Sequence, residues 1–279
     1  MSKHMNNVFE LIMVFFKYYL SLGHFVFTEA DFLILLALFF VALLYSSVGH
    51  GGASGYLAVL SLTIYGEYDS SWLKQHAWCL NLVVASIAFY HYRKAGFHIP
   101  KLTLPFVLAS IPFAIIGGYM KVDGAIYDTL LSVTLIWAAY KLFQTKENNN
   151  NEDFVVPEYS VAVPVGAGVG LMSGFIGVGG GIFLSPVILL KKWATPKTTA
   201  ATASLFILLN SISGLFGASI SGQLDIEFEI LLPFVFAVLI GGYLGSKYGS
   251  QVAQQSAIRY LLISVLVIAS IRRMFILVV

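Results

Sequence analysis

A chain of 279 residues in which 58% are hydrophobic and only 11% are charged is not an ordinary soluble domain, where charged residues run near about 25%. The formal net charge of +2 gives no reason to expect nucleic acid as a partner, and the single cysteine, Cys79, excludes an intrachain disulfide framework and any CxxC metal or redox motif. The apolar runs are continuous rather than alternating, so the expectation is an all-α integral membrane protein and not a barrel.

Hydrophobic segments fall at about 8–27, 31–48, 53–66, 76–92, 102–120, 124–143, 159–176, 181–190, 199–220, 230–246 and 256–279. The first is interrupted by Lys17 and is followed by no A-x-A-like cleavage site, so residues 1–28 read as an uncleaved N-terminal helix. One hydrophilic break dominates, from Gln144 to Glu158, with Lys146-Glu147 and an Asn148–Asn151 run; it is too polar to cross a bilayer. The expected organisation is therefore an N-terminal helix (1–28), a first transmembrane repeat (29–143), a cytoplasmic linker (144–158) and a second transmembrane repeat (159–279).

The word repeat rests on motifs that recur in order. Gly49-His50-Gly51-Gly52 returns 128 positions later as the knot Gly177-Val178-Gly179-Gly180-Gly181. Leu104-Pro105-Phe106-Val107 returns as Leu232-Pro233-Phe234-Val235, and Gly117-Gly118-Tyr119 as Gly241-Gly242-Tyr243. Asn81 lies 29 residues after Gly52, and Asn210 lies 30 after Gly180. Shared order of this kind points to duplication.

Charge orients the spans. With 93–101, 141–158, 191–198, 247–259 and the N-terminus inside, eleven of the 16 Lys and Arg residues lie on the cytoplasmic side, as the positive-inside tendency requires. The repeat that begins near Asp31 then enters from outside and the one that begins near Tyr159 enters from inside, which makes the two repeats inverted.

Each knot breaks an apolar stretch just before a segment (53–66 or 181–190) that is short for a span of about 20 residues. Such segments are short spans or arms of re-entrant hairpins. Glycine costs a helix interior roughly 1 kcal/mol per residue, so consecutive glycines at membrane depth mark helix breaks. Broken backbone is tolerated there only when buried in protein or lining a cavity. A knot that opens a helix presents N–H groups without intrahelical partners and a partial positive charge, and two such ends facing each other would attract an anion. Close helix packing is the competing use of small residues, and it is the reading given to Gly117-Gly118 and Gly241-Gly242.

The second-half sequence Gly174-Phe-Ile-Gly-Val-Gly-Gly-Gly-Ile-Phe-Leu-Ser-Pro186, followed by Lys197-Thr-Thr-Ala-Ala-Thr-Ala-Ser204, resembles the signature of the sulfite exporter TauE/SafE-type permeases, of the 4-toluene sulfonate uptake permease superfamily. The resemblance covers roughly 30–275. It implies a multi-pass plasma-membrane permease, in the bacterial inner membrane, moving small anions such as sulfite or sulfonates by alternating access. The first half departs from the motif, with His50 and Ala53 where the second has Val178 and Gly181, and it has no counterpart of Pro186.

The candidate substrate-binding residues are Gly49, His50, Gly51, Gly52, Ala53, Gly177, Val178, Gly179, Gly180 and Gly181, with Asn81, Asn210, Thr202 and Ser204 on neighbouring segments. His50 is the only ionisable side chain inside a knot and is the candidate for proton coupling; the alternative is a neutral histidine bonded to backbone. The amides and hydroxyls bind an oxyanion, or hold the knots through interhelical hydrogen bonds. Gln75 and His76 lie on the same segment as Asn81, while His91 and His98 flank Arg93 and Lys94 at the cytoplasmic interface. No catalytic residue, metal or cofactor is expected. The partners expected are a small anion and the lipid bilayer, with no nucleic acid and with homo-oligomer formation left open.

Two rival classes remain at this stage. Gly52-Ala53-Ser54-Gly55 fits the G-x-S-G of rhomboid intramembrane proteases, but the second segment after it, 102–120, supplies no histidine base, and an upstream H-x-x-x-N is missing. An anion channel is the other, since glycine loops and helix dipoles also build pores.

Overall fold

The computed structural model describes residues 29–120 and 154–258, together with the single positions 140, 143, 260, 261, 263, 264 and 267. The expected N-terminal helix, most of the segment 124–143 and most of the linker lie outside the described residues. Within them the chain is helical and contains no strand. The helices are α1 (Glu29–Ser46), α2 (Ala53–Ser61), α3 (Ser70–Lys94), α4 (Pro100–Tyr119), α5 (Tyr159–Ile176), α6 (Gly181–Leu190), α7 (Pro196–Ile220) and α8 (Phe228–Lys247). A 3₁₀ turn (Ile64–Glu67) follows α2 and a π turn (Tyr248–Val252) follows α8.

Local sequence explains most of the boundaries. α4 and α7 each open on a proline in the first helical positions, and the Thr195 side chain accepts from the Thr198 N–H at 3.2 Å to cap α7. α5 and α6 occupy the segments 159–176 and 181–190 read from hydropathy. α3 starts at Ser70 rather than near 76. Its first turns carry Ser70, Ser71, Lys74 and Gln75, which interrupt an apolar run without hindering a helix. The segment 53–66 is not one helix; α2 stops at Ser61 and the 3₁₀ turn completes it.

Among the described residues, four helices are long and apolar enough to cross a membrane: Pro100–Tyr119, Tyr159–Ile176, Pro196–Ile220 and Phe228–Val252. Large apolar side chains stand outward on several helices, among them Phe32 and Leu33 on α1, Leu108 on α4 and Phe228 on α8, each more than 60% exposed. A surface of this kind is stable only against lipid or another apolar partner.

The packing scheme repeats across the two halves. α4 packs on α5 and α7, and α8 packs on α1 and α3, so each half lends its fourth helix to the other. α2 lies on α1 and α3 as α6 lies on α5 and α7. Between the halves stand α3 and α7, the two longest helices among the described residues. They run antiparallel: Gln75 near the start of α3 bonds the Gln223 carbonyl just past the end of α7 at 2.6 Å, while Phe97 just past the end of α3 lies under the Lys197 ammonium at the start of α7. Backbone approach at the helix crossings uses glycine. A methyl at Gly117 would strike the Leu171 carbonyl on α5, at Gly118 the Gly214 carbonyl on α7, and at Gly241 the Phe39 carbonyl on α1. That is the packing use expected of these pairs.

Candidate functional site: the paired glycine knots

The first knot begins where α1 runs out. The Ser46 and Ser47 hydroxyls turn back to the Leu43 and Leu44 carbonyls, at 3.4 and 2.6 Å. Gly49, at φ +75°, lets the His50 N–H reach the Tyr45 carbonyl at 2.9 Å while its own N–H reaches Ser46 at 3.0 Å, the paired bonds of a Schellman C-cap. Gly52, at φ +101°, restarts the chain, its carbonyl accepting from Gly55 and Tyr56, both at 2.9 Å. In the second knot Gly177 (φ +84°) closes α5 on the Ser173 carbonyl at 3.0 Å. Gly180 (φ +79°) opens α6 by accepting from Phe183 and Leu184 at 3.1 Å. Any residue with a Cβ would pay about 1–2 kcal/mol for each of these left-handed conformations.

The knots are packed against the crossing of α3 and α7. A methyl at Gly49 would overlap the Ala200 backbone of α7, and one at Gly177 would stand 2.6 Å from Cγ of Lys74 on α3. The central glycines face the same pair of side chains: a methyl at Gly51 or at Gly179 would run into both Asn81 and Ile207. Asn81 and Ile207 therefore lie against both knots at once. α2 and α6 start here with no side-chain cap and no acid in their first turns, which leaves the positive end of each helix dipole uncompensated by a carboxylate.

Asn81 is fully buried and stands in for the missing cap of α2. Its Oδ1 accepts from the Ala53 N–H at 3.0 Å, and its Nδ2 donates to the Ser211 Oγ of α7 at 3.3 Å. His50 ties the first knot to the second half. Nδ1 donates to the Val48 carbonyl at 3.1 Å, which fixes the tautomer of the neutral ring, so Nε2 accepts from the Ser185 hydroxyl of α6 at 3.4 Å. The Gly181 backbone lies beside the same ring. Val178 is buried in an apolar cluster with Ala53 and Tyr56.

The other sequence-selected residues disperse. Asn210 donates to the Ser110 Oγ of α4 at 2.9 Å and to the Phe206 carbonyl at 2.7 Å. Thr202 shares a hydrogen bond with Thr103 of α4 at 2.9 Å, and the Ser204 hydroxyl returns to the Ala201 carbonyl of its own helix at 2.9 Å. His91 bonds the Ser246 Oγ of α8 at 2.8 Å. His98 sits in the connection from α3 to α4, where burial first and the Arg93 charge second hold its pKa below the usual imidazole value. The Ser54 hydroxyl donates to the Tyr45 Oη at 2.9 Å, so its acceptor is a phenol and not an imidazole.

Polar clasps stand at both ends of the α3–α7 pair, one from α3 to the α7–α8 connection and one from α7 to the segment after α8; Gln75, His76 and Lys197 were named from the sequence, but these contacts were not. At one end Trp72 Nε1 donates to the Glu227 carboxylate at 2.9 Å, His76 Nδ1 to the Trp72 carbonyl at 2.9 Å, and the Glu227 N–H to His76 Nε2 at 3.3 Å. Gln75 Oε1 accepts from the Asp225 N–H at 2.7 Å, fastening the α7–α8 connection to α3. At the other end Lys197 Nζ donates to the Ser250 carbonyl at 3.2 Å, and its N–H to Gln255 Oε1 at 2.9 Å. The only sequence signal for these contacts is polar residues at helix ends, a signal shared with any solvated helix terminus.

Residues 34–273 match the family model described as Sulfite exporter TauE/SafE. The chain is 32% identical over 241 residues to “Probable membrane transporter protein y4hK” of Sinorhizobium fredii, covering 85% of this chain and 95% of that protein. It is 23% identical over 226 residues to “Probable membrane transporter protein YdhB” of Bacillus subtilis, covering 77% and 89%. A probable membrane transporter protein of Methanocaldococcus jannaschii is 25% identical over 270 residues, covering 89% and 98%. No solved structure matches the chain. The family match runs through both knots and through the helices that hold them, and on that extent the chain belongs to the sulfite exporter TauE/SafE family of multi-pass membrane transporters.

Proposed function

We propose that the protein is a secondary carrier for small oxyanions, sulfite or simple sulfonates, and that it works by alternating access about the two knots. The observation that carries this reading is the meeting of Gly51 and Gly179, from opposite halves, at one asparagine on the α3–α7 crossing. Two helix N-termini with no carboxylate in their first turns then flank a common point, and backbone dipoles supply the attraction for an anion.

The alternation follows from an inverted repeat. α3 and α7 occupy equivalent places in the two halves and run antiparallel, and the exchanged packing of α4 and α8 obeys the same exchange of halves. This supports a pseudo-two-fold axis through the crossing. Swapping the conformations of the halves about such an axis turns an opening on one face into an opening on the other. The clasps at Trp72–Glu227 and Lys197–Ser250 are then the contacts that open in turn.

His50 couples proton to anion in this scheme. A proton taken up at Nε2 displaces the Ser185 hydroxyl as donor and adds positive charge beside the first knot, which favours the anion. Hydrolytic chemistry at Ser54 is disfavoured, because its hydroxyl faces Tyr45 rather than a general base. The knots are filled by α3 and α7 side chains and backbone, which favours a carrier over an open pore.

The test is uptake by proteoliposomes of a panel of labelled anions: sulfite, methanesulfonate, sulfate and acetate. Saturable uptake of sulfite or the sulfonate, with counterflow, is the expected result. Unsaturable, electrodiffusive current would identify a channel, and failure to move either sulfur anion would overturn the substrate class.

A further inference from the structure

Two buried hydroxyls stand beside the knots with no hydrogen-bond partner among the described residues. Tyr56 is wholly buried, and its hydroxyl bonds to nothing. It is the fourth residue of α2, and helical side chains lean toward the N-terminus, which brings the phenol back over Gly52. The point where a Cβ of Gly52 would stand is 2.6 Å from the Tyr56 hydroxyl oxygen. Ser173, on the last turn of α5, is equally buried and equally unpartnered. Its Cβ is 3.2 Å from the corresponding point on Gly180.

An unpartnered buried hydroxyl is a net cost to the fold, so a phenylalanine and an alanine would serve packing better at these positions. Their setting gives them a use. Each lies at the glycine that opens α2 or α6, one in each half; neither glycine can cap its helix with a side chain, and Asn81 takes only the first N–H of α2. The neighbouring Ser54 hydroxyl donates to Tyr45 and not to Tyr56.

We infer that the Tyr56 and Ser173 hydroxyls are the side-chain donors to the transported anion, one from each half. The inference rests on the anion site proposed above and names how its ligand is recognised. Two O–H donors approaching from opposite halves, added to two helix N-termini, suit a compact anion with two or more acceptor oxygens on one centre. The sulfite ion and a sulfonate head meet that description; chloride, a single spherical acceptor, gains nothing from paired directional donors.

The experiment compares wild type, Tyr56→Phe and Ser173→Ala for uptake of ³⁵S-sulfite and methanesulfonate in proteoliposomes, with thermal midpoints in detergent measured beside them. Loss of a hydrogen bond to a charged ligand should raise the half-saturation concentration roughly ten-fold or more in each variant. The midpoint should stay level or rise, because an unsatisfied group has been removed. A lowered midpoint with unchanged half-saturation would make the hydroxyls structural and overturn the inference. Should Tyr56→Phe not accumulate, Ser173→Ala alone decides it by the same two readouts. Gly179→Ala, assayed in parallel, separates the levels: if it abolishes uptake while the hydroxyl variants match wild type, the knots bind the anion and this assignment fails; if it too matches wild type, the site itself is misplaced.

Discussion

Asn81 and Ser211 meet at the middle of the α3–α7 crossing, the carboxamide nitrogen of one donating to the hydroxyl of the other across 3.3 Å. The same carboxamide holds the first N–H of α2 with its oxygen, so one side chain links the inter-half seam to a helix break. Asn81→Leu should orphan the buried Ala53 N–H and cost about 1–3 kcal/mol of stability. Asn81→Asp keeps the acceptor but sets a negative charge against both knots, and it should weaken anion uptake more than it lowers the thermal midpoint. Equal losses of both would show that Asn81 serves the fold alone.

Glycine positions separate by what surrounds them. Gly168, in the interior of α5, has open space where a Cβ would go, whereas Gly49 has the Ala200 backbone there and a φ of +75°. Gly168→Ala should be neutral or stabilising by up to about 1 kcal/mol. Gly49→Ala should lower the thermal midpoint or prevent folding. The comparison is a melting curve of each purified variant, and a Gly49→Ala midpoint at or above wild type would refute the packing described for the first knot.

Sequence reading went furthest where one chain property sets the structure. Apolar length and glycine breaks are enough to place α5 and α6, because both ends of each are marked by glycine, lysine or the linker. The start of α3 was less legible: polar residues that serve the Trp72–Glu227 clasp look like the edge of a span. Asn81 and Asn210 match by position, yet only Asn81 reaches the knots, since Asn210 finds Ser110 and a carbonyl of its own helix first. Tyr56 and Ser173 carried no signal, and Ser185 only its place in the second-half motif. A hydroxyl in an apolar helix is common, and whether it has a partner is decided by neighbours distant in the chain.

His50 sets the expected pH response. If its Nε2 takes up the proton that accompanies the anion, wild-type uptake should fall as pH rises, over a range set by how far the bound anion raises the ring's proton affinity. His50→Gln retains hydrogen bonding to Ser185 but does not titrate, so its uptake should be flat over that range. A variant profile matching wild type would make His50 a structural tie between the first knot and α6.

The proposed inversion of the halves is open to labelling. After Cys79→Ser removes the only native cysteine, single cysteines at Asp69, before α3, and at Asn149, in the linker, should react from opposite faces of the membrane. The linker position is expected to be cytoplasmic. Labelling of both from one side would leave α3 and α7 without the inverted relation that alternating access needs.

The central claim is that an anion binds where the two knots meet, and the most direct measurement is ³⁵S-sulfite uptake by Gly179→Ala beside Gly168→Ala, each shown to insert and remain folded. A methyl at Gly179 would stand 2.8 Å from both Asn81 Nδ2 and Ile207 Cγ2, on a backbone at φ +73°. Loss of uptake in Gly179→Ala, with wild-type uptake in Gly168→Ala, is the predicted result; wild-type half-saturation and rate in a folded Gly179→Ala protein would contradict it.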